Sequence, residues 1–428
     1  MFKNHPKGLA IIFFTEMWER FGFYIMMAIF VLYMDKEFGW SDSQKGDFYG
    51  WFLGAVYFIP VLGGWIGDRL LGQIKTIILG AVLMVFGYIA LAFSSLQLIS
   101  FFYIGLFLVA FGTGVFKVNM SVLVGNLYKD NVHLKDAGYN IYYMGVNLGA
   151  FIAPLAATVI YNLFHSYNIS FAAASVGMLA SLVIFLRGKK ILYSIDTNEA
   201  GKFLSDNNAA EKGPIMSKKE ERQRIVTLCV LFVIVIFFWV GFYQNGFALT
   251  LFAERSTIKS DVLRPETYQS FNPFFILLLT PLLVMFFNRL RKKGKEPSTP
   301  VKIFIGMIIM GISMLIMVVA SLRGGNQDVN IMSPIWLIGT YLFVTLSEIH
   351  ISPMGMSYVS KVAPPKVQGL MMGLWFGATA VGSFGSGLLG KFYSNFAHHE
   401  YFLILFGLLI FSAVLALIFL KRLKIFSV

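Results

Sequence analysis

The sequence predicts an all-α integral membrane protein of twelve transmembrane helices in two six-helix bundles, and three observations carry that expectation. The 428 residues are 57% hydrophobic and only 13% charged, with a mean hydropathy of +0.71, which leaves too little polar surface to cover a globule. The apolar residues fall into runs long enough to cross a bilayer, which takes about 20 residues per helix. Six runs precede and six follow one polar stretch, dividing the chain into an N-terminal bundle (1–187), a cytoplasmic linker (188–224) and a C-terminal bundle (225–428).

The first span, 9–34, follows Lys3 and Lys7, but it carries charges within and lacks a small-residue cleavage site. It therefore reads as a retained helix and not as a signal peptide. Inside it lies Thr15-Glu16-Met17-Trp18-Glu19-Arg20-Phe21-Gly22-Phe23-Tyr24. Residues three or four apart share a helix face, so Glu16, Glu19 and Arg20 form one polar stripe. An ionised group at bilayer depth costs about 2.5–3.5 kcal/mol, which requires the stripe to face protein or water. Pairing Arg20 with a glutamate lowers the cost and leaves one acid to bind a proton; a purely structural ion pair is the alternative.

The second span, 47–68, ends in Gly63-Gly64-Trp65-Ile66-Gly67-Asp68-Arg69-Leu70-Leu71-Gly72, with small residues where helices approach closely. After the third span (74–95), the fourth (98–120) holds Gly112-Thr113-Gly114-Val115-Phe116-Lys117-Val118-Asn119. A lysine there needs an anion or water, unless it snorkels to the interface. The fifth, 140–163, sets Asn147 among small residues, and the sixth, 168–187, closes the first half. The linker contains Asn207, Asn208, Gly213 and Pro214, and its charged end, Lys218–Arg224, reads as a surface helix or a tether.

In the seventh span (225–253) Phe238-Trp239-Val240-Gly241-Phe242-Tyr243-Gln244-Asn245-Gly246 combines aromatics with amides. Asn272-Pro273 opens the eighth (268–290), where a helix break is expected to free backbone groups. After the ninth (301–323), the tenth (333–358) has Glu348 as its lone acid, followed by His350, Ser352 and Pro353. A solitary acid at that depth suits a group that loads and releases protons. The eleventh (367–392) holds Trp375, and the twelfth (399–421) follows His398 and His399, which are expected to be solvated beside an outer loop.

The net charge of +13 follows topology and does not mark a nucleic-acid surface. Lys and Arg gather in alternate loops, at Arg69 and Lys75, Lys129 and Lys135, 187–224, Arg289–Lys295, Lys361 and Lys366, and Lys421–Lys424. The positive-inside rule places these loops and both termini in the cytoplasm. The single cysteine, Cys229, excludes an internal disulfide and is expected to be a packing residue. No nucleophile–base arrangement, metal-ligand spacing or phosphate loop argues for an enzyme.

Five segments resemble the proton-dependent oligopeptide transporter family of the major facilitator superfamily. They are Gly63–Gly72 running on through Thr76, Ile77, Ala81, Leu83 and Gly87; Tyr139–Ala150; the run from Ser347 through Pro353, Tyr358, Lys361 and Pro364; Met372-Gly373-Leu374-Trp375-Phe376; and the Glu16-x-x-Glu19-Arg20-Phe21 pattern. The resemblance implies a major facilitator fold and import of di- and tripeptides by proton symport, with protons as coupling ion and no cofactor. It implies proton coupling by Glu16, Glu19, Arg20, Lys117 and Glu348. Arg20 and Lys117 would take the substrate carboxylate, Asn147, Asn272 and Glu348 its amino end and backbone, and Tyr24, Tyr57, Trp239 and Trp375 its side chains, with Ser352 a further substrate-binding residue. The expected setting is the plasma membrane, a bacterial inner membrane, with the protein a monomer in the lipid bilayer.

Departures from the family pattern are Phe23 for tyrosine, Met27 for an arginine and Tyr243 for an acid. The last two normally pair across the halves as a gate. Their joint loss is electrostatically consistent, because losing one alone would strand a charge in the bilayer. The altered gate keeps open a transporter of another solute, such as an amino-acid conjugate, nitrate or a drug-like anion. A peptide receptor without transport would share the same pocket.

Overall fold

A computed structural model describes residues 5–129, 134–193 and 217–426. Most of the expected linker, with Asn207, Asn208, Gly213 and Pro214, lies outside the described residues, as do the side chains of Asp136 and Lys366. The described chain is helical, with one isolated bridge between Thr257 and Met332. Eleven helices among the described residues are long and apolar enough to cross a membrane. The glycine-rich Gln368–Gly390 is a twelfth helix, of 23 residues. Each lies where the sequence placed a span, which makes the protein multi-pass.

Contacts divide the chain into two compact units. Unit 1 comprises Met1–Gly39 and Ala55–Lys212, and unit 2 comprises Trp40–Gly54 and Gly213–Val428. The first half of the second span thus packs with the C-terminal helices, a grouping that the sequence division at the linker does not contain.

Unit 1 is built on α1 (Gly8–Phe38), whose last turn closes on Gly39. Gly39 holds φ 61°, a left-handed conformation natural to glycine, and its N–H reaches Asp35 O at 3.1 Å. The second span is α2 (Asp42–Phe58) and α3 (Pro60–Ile66), followed by a π-helical turn at Gly67–Leu71. Then come α4 (Gln73–Ala92), α5 (Ile99–Leu127), α6 (Lys135–Phe164) and α7 (Tyr167–Leu192). Glycine sets the distance between α1 and α6. A Cβ on Gly149 would lie 2.2 Å from Met17 O, so α6 approaches the polar turn of α1 backbone to backbone.

Unit 2 begins with α8 (Lys218–Phe242). Lys218–Arg224 is neither a separate surface helix nor a tether but the start of this membrane helix. Ser217 Oγ accepts the Glu220 N–H at 3.2 Å, and Arg224 pairs with Glu220 one turn on. Cys229 is exposed on this helix and not packed. The span breaks after Phe242 into a 3₁₀ turn, Tyr243–Gly246, and resumes as α9 (Ala248–Arg255). A 3₁₀ turn at Pro265–Ser270 leads into α10 (Phe271–Lys292). The break expected at Asn272-Pro273 is therefore absent: Pro273 sits in the first turn of α10, where a missing N–H costs no bond. Then follow α11 (Thr299–Arg323), α12 (Ile335–Val362), α13 (Gln368–Gly390), α14 (His398–Ile418) and the short α15 (Leu420–Ile425).

Backbone groups freed at the break of α8 find tyrosines. Tyr49 donates to Tyr243 O at 2.7 Å and Tyr341 to Asn245 O at 3.0 Å, while Tyr401 holds the side chain of the break by donating to Gln244 Oε1 at 3.0 Å. Such replacement is what lets a helix break inside a membrane. The α2 segment of unit 2 also lies on a ladder of small residues. Gly46 and Gly50, one turn apart, meet Gly387, where a Cβ would come 2.3 Å from Gly50 Cα and 2.5 Å from Gly46 O. An ionic clasp secures its end: Arg255 grips both oxygens of Asp42 at 2.7 and 2.9 Å, Lys45 adds a third contact at 2.8 Å, and Ser394 donates to the same carboxylate. His398, expected to be solvated, is instead buried against Tyr393 at a centroid distance of 5.5 Å and pairs with Asp328 at 3.2 Å.

In the loop between α10 and α11, Glu296 accepts from Arg291 and Lys302, each at 2.6 Å. These cations hold its carboxyl down to about 2.

Two predictions follow from unit 2. Gly387→Val forces backbone apart, so it should cost about 1–3 kcal/mol of thermal stability; Gly407→Val, where nothing lies within 4 Å, should be near neutral, and equal losses would reject the close approach. A carboxyl held low when folded stabilises fully above the free glutamate range and loses that effect as pH falls through about 2. The melting-temperature difference between Glu296→Gln and the parent should therefore be flat from about pH 5 to 8 and close only in strong acid; a slope inside the neutral range would contradict this clasp.

Candidate functional site

In unit 1 the charged turn of α1 is fully enclosed. Glu16 and Glu19 are 0% exposed and Arg20 is 3% exposed. Spacing alone favours Arg20 with Glu16, one turn back. The structure gives Arg20 to its neighbour Glu19, with Nη2 donating to Oε1 at 2.7 Å and Nε donating to Oε2, a bidentate pair. Glu16 Oε1 stands 3.2 Å from the same Nε. Neither Glu16 oxygen has a well-formed hydrogen bond among the described residues, and its other polar neighbours are Lys117 and the Tyr142 hydroxyl. Arg20 also lies over the Phe23 ring at 5.3 Å and near Tyr24.

Lys117, half-buried on α5, has Arg20, Glu16 and Glu19 as charged neighbours and sits over the Tyr57 ring at 5.4 Å. Two carboxylates and two cations are thus gathered by α1 and α5. Asn119, two residues on, is a tie between helices: its Nδ2 donates to Gly63 O at 2.9 Å and Val115 O at 2.7 Å. Asn147 on α6 is buried, with its amide donating to Tyr143 O at 2.9 Å.

In unit 2, Asn272 Nδ2 donates to Glu348 Oε2 at 2.8 Å and to Thr345 Oγ1 at 3.2 Å. Glu348 makes no ion pair among the described residues, so an amide holds it where unit 1 uses cations. Ser352 follows one turn along α12, half-buried. His350 turns to another face, bonded to Leu346 O at 2.7 Å and edge-on to Phe287. Trp375 is 1% exposed and packs onto Gly355, where a Cβ would lie 1.9 Å from the ring. Trp239 stacks on Tyr243 at 5.7 Å, and its Nε1 has no hydrogen-bond partner among the described residues.

The structure therefore joins Glu16, Glu19, Arg20, Lys117 and Tyr57 in one cluster and Asn272 with Glu348 in another, while Trp375 is enclosed by packing. Tyr142 and Thr345 are the neighbours that sequence reasoning missed. Tyr142 lies five residues before Asn147 within a stretch already singled out, and its hydroxyl in an apolar helix was the available signal. No group of three or more metal-ligating side chains occurs among the described residues.

Removing Arg20 strands two buried carboxylates. Arg20→Gln should cost about 3–5 kcal/mol of thermal stability in detergent, whereas Glu16→Gln, which leaves the bidentate pair intact, should cost less than half as much. Equal losses would mean that Arg20 is not the anchor.

A model of the POT family matches residues 74–209 and 196–404. The peptide transporter YePEPT of Yersinia enterocolitica is 30% identical, with 91% of this chain and 88% of that protein covered. The di-/tripeptide transporter of Lactococcus lactis is 32% identical, with 88% and 87% covered. Among solved structures, a POT family transporter in complex with 5-aminolevulinic acid superposes with a TM-score of 0.87 at 26% identity, over 99% of this chain and 98% of that one.

Proposed function

The chain belongs to the POT family of transporters, and from that premise we propose that it is a proton-coupled symporter importing di- and tripeptides by alternating access. The observation that carries the proposal is the buried charge cluster of α1 and α5. With all four groups ionised its charges cancel; one proton on a carboxylate leaves it with a net positive charge. Arg20 and Lys117 are then available to a peptide carboxylate, and deprotonation restores the internal pairs and releases it. Glu348, held only by Asn272, supplies the negative end that a peptide's amino group needs. Asn147 and Ser352 would meet the peptide backbone, and Tyr24, Tyr57, Trp239 and Trp375 its side chains.

Basic loops in alternate positions support cytoplasmic termini in a bacterial plasma membrane. The charge cluster is complete within one chain, in keeping with a monomer. Its components provide binding and proton transfer without a cofactor. A second solute class has one specific support: the relative with 5-aminolevulinic acid holds a small molecule that also carries an amino and a carboxyl end. The same two groups of residues would serve it.

Labelled dialanine should accumulate in proteoliposomes under an inward proton gradient and be displaced by unlabelled dipeptides but not by alanine. Failure to accumulate across an intact gradient would reject peptide symport. Glu19→Gln should abolish uphill uptake while sparing exchange of peptide for peptide; intact uphill uptake would remove Glu19 from the coupling scheme.

A further inference from the structure

Unit 2 contains a cationic feature remote from Glu348. An open cleft of about 370 Å³ lies between the loop after α10, the start of α11 and the end of α12. Arg291, Lys302 and Lys361 line it together with Glu296, so three cations face one carboxylate. Glu296 orients two of them, accepting from Arg291 Nε and Lys302 Nζ. Lys361 makes no ion pair among the described residues. Ser298 Oγ, also in the lining, is buried without a hydrogen-bond partner among the described residues. The N-terminus of the 25-residue α11 opens beside it with no side-chain cap, adding the positive end of a helix dipole. Lys361 stands thirteen residues beyond Glu348 on α12, about 20 Å along the axis, which separates the cleft from the Asn272–Glu348 pair.

We propose that this cleft binds the phosphate of an anionic phospholipid headgroup. Excess positive charge, an unused hydroxyl and an uncapped helix start suit a phosphate oxygen, which accepts from all three. A lipid suits the surroundings better than free phosphate. Leu278, Leu282 and Phe286, four residues apart along α10, are each about half exposed and form an apolar column that runs toward Arg289 at the start of the basic loop. The basic loop at Arg289–Lys295 belongs to the end of the bundle that the proposed orientation places at the cytoplasmic leaflet, where anionic lipids attract juxtamembrane cations.

The test is native mass spectrometry of the purified full-length protein, titrated with phosphatidylglycerol or with phosphatidylcholine of the same acyl chains. Phosphatidylglycerol should bind at lower concentration. Lys361→Gln should weaken it about five-fold, equivalent to the ~1 kcal/mol that one interfacial cation contributes. Lys293→Gln, a change in the same loop but outside the lining, should leave binding unchanged. Equal weakening by both substitutions would reduce the effect to diffuse surface charge and overturn the site. Displacement of the lipid by millimolar inorganic phosphate would overturn the lipid assignment in favour of a soluble phosphate.

Discussion

The structure of unit 1 depends on Arg20. Two carboxylates enclosed within three residues of each other would repel and stay strongly unfavourable without a cation between them. Arg20 can serve both because its guanidinium presents a planar fork, gripping Glu19 through two donors while its Nε remains close to Glu16. A lysine offers a point charge and no such fork. The packing around the turn follows from this: α6 must come close enough to shut out water, and Gly149 allows that approach. Tyr142 is thereby brought to Glu16 as a polar neighbour in an otherwise apolar wall.

Unit 2 meets the same constraint with backbone instead of charge. The break at Tyr243–Gly246 exposes carbonyls that hydrocarbon cannot satisfy, and Tyr49 and Tyr341 answer them with hydroxyls from other helices. Tyr49 reaches the break because its helix lies close to α13 on glycines, so the ladder at Gly46, Gly50 and Gly387 and the tyrosine contact are parts of one arrangement. The same α2 segment is held further by the clasp of Arg255 on Asp42 and by near contact of main chains at Gly387.

The fold was legible because a bilayer demands long apolar runs, a signal spread over about 20 residues and robust to local detail. The candidate clusters were legible for the complementary reason: Glu16, Glu19, Arg20, Lys117 and Glu348 are costly where they stand and therefore conspicuous. What escaped depends on single contacts. Nothing in Tyr243-Gln244-Asn245-Gly246 outweighs the apolar residues around it, while Asn272-Pro273 looks like a break but supplies only a helix start. The polar stripe did not say which glutamate Arg20 would grip: the structure gives the bidentate pair to Glu19 and leaves Glu16 Oε1 3.2 Å from the same Nε. The spacing of Gly46, Gly50 and Gly54 carried the sign of a close helix contact, but a glycine ladder names no partner.

The two clusters differ in what a proton does to them, and that difference bears on coupling. In unit 1 the ionised state is the compensated one: each carboxylate answers a cation, so a proton leaves a cation in surplus inside protein. Glu348 has no cation among the described residues and is held by an amide that donates to its charged form. Protonation there removes a charge without leaving an opposite one uncompensated. Under the proposed symport, a zwitterionic peptide would bring both kinds of charge: its carboxylate would compete with the acids of unit 1 for Arg20 and Lys117, and its ammonium would meet Glu348. A proton resident in unit 1 would then assist peptide binding, because the surplus cation it leaves gives proton and substrate a shared interest.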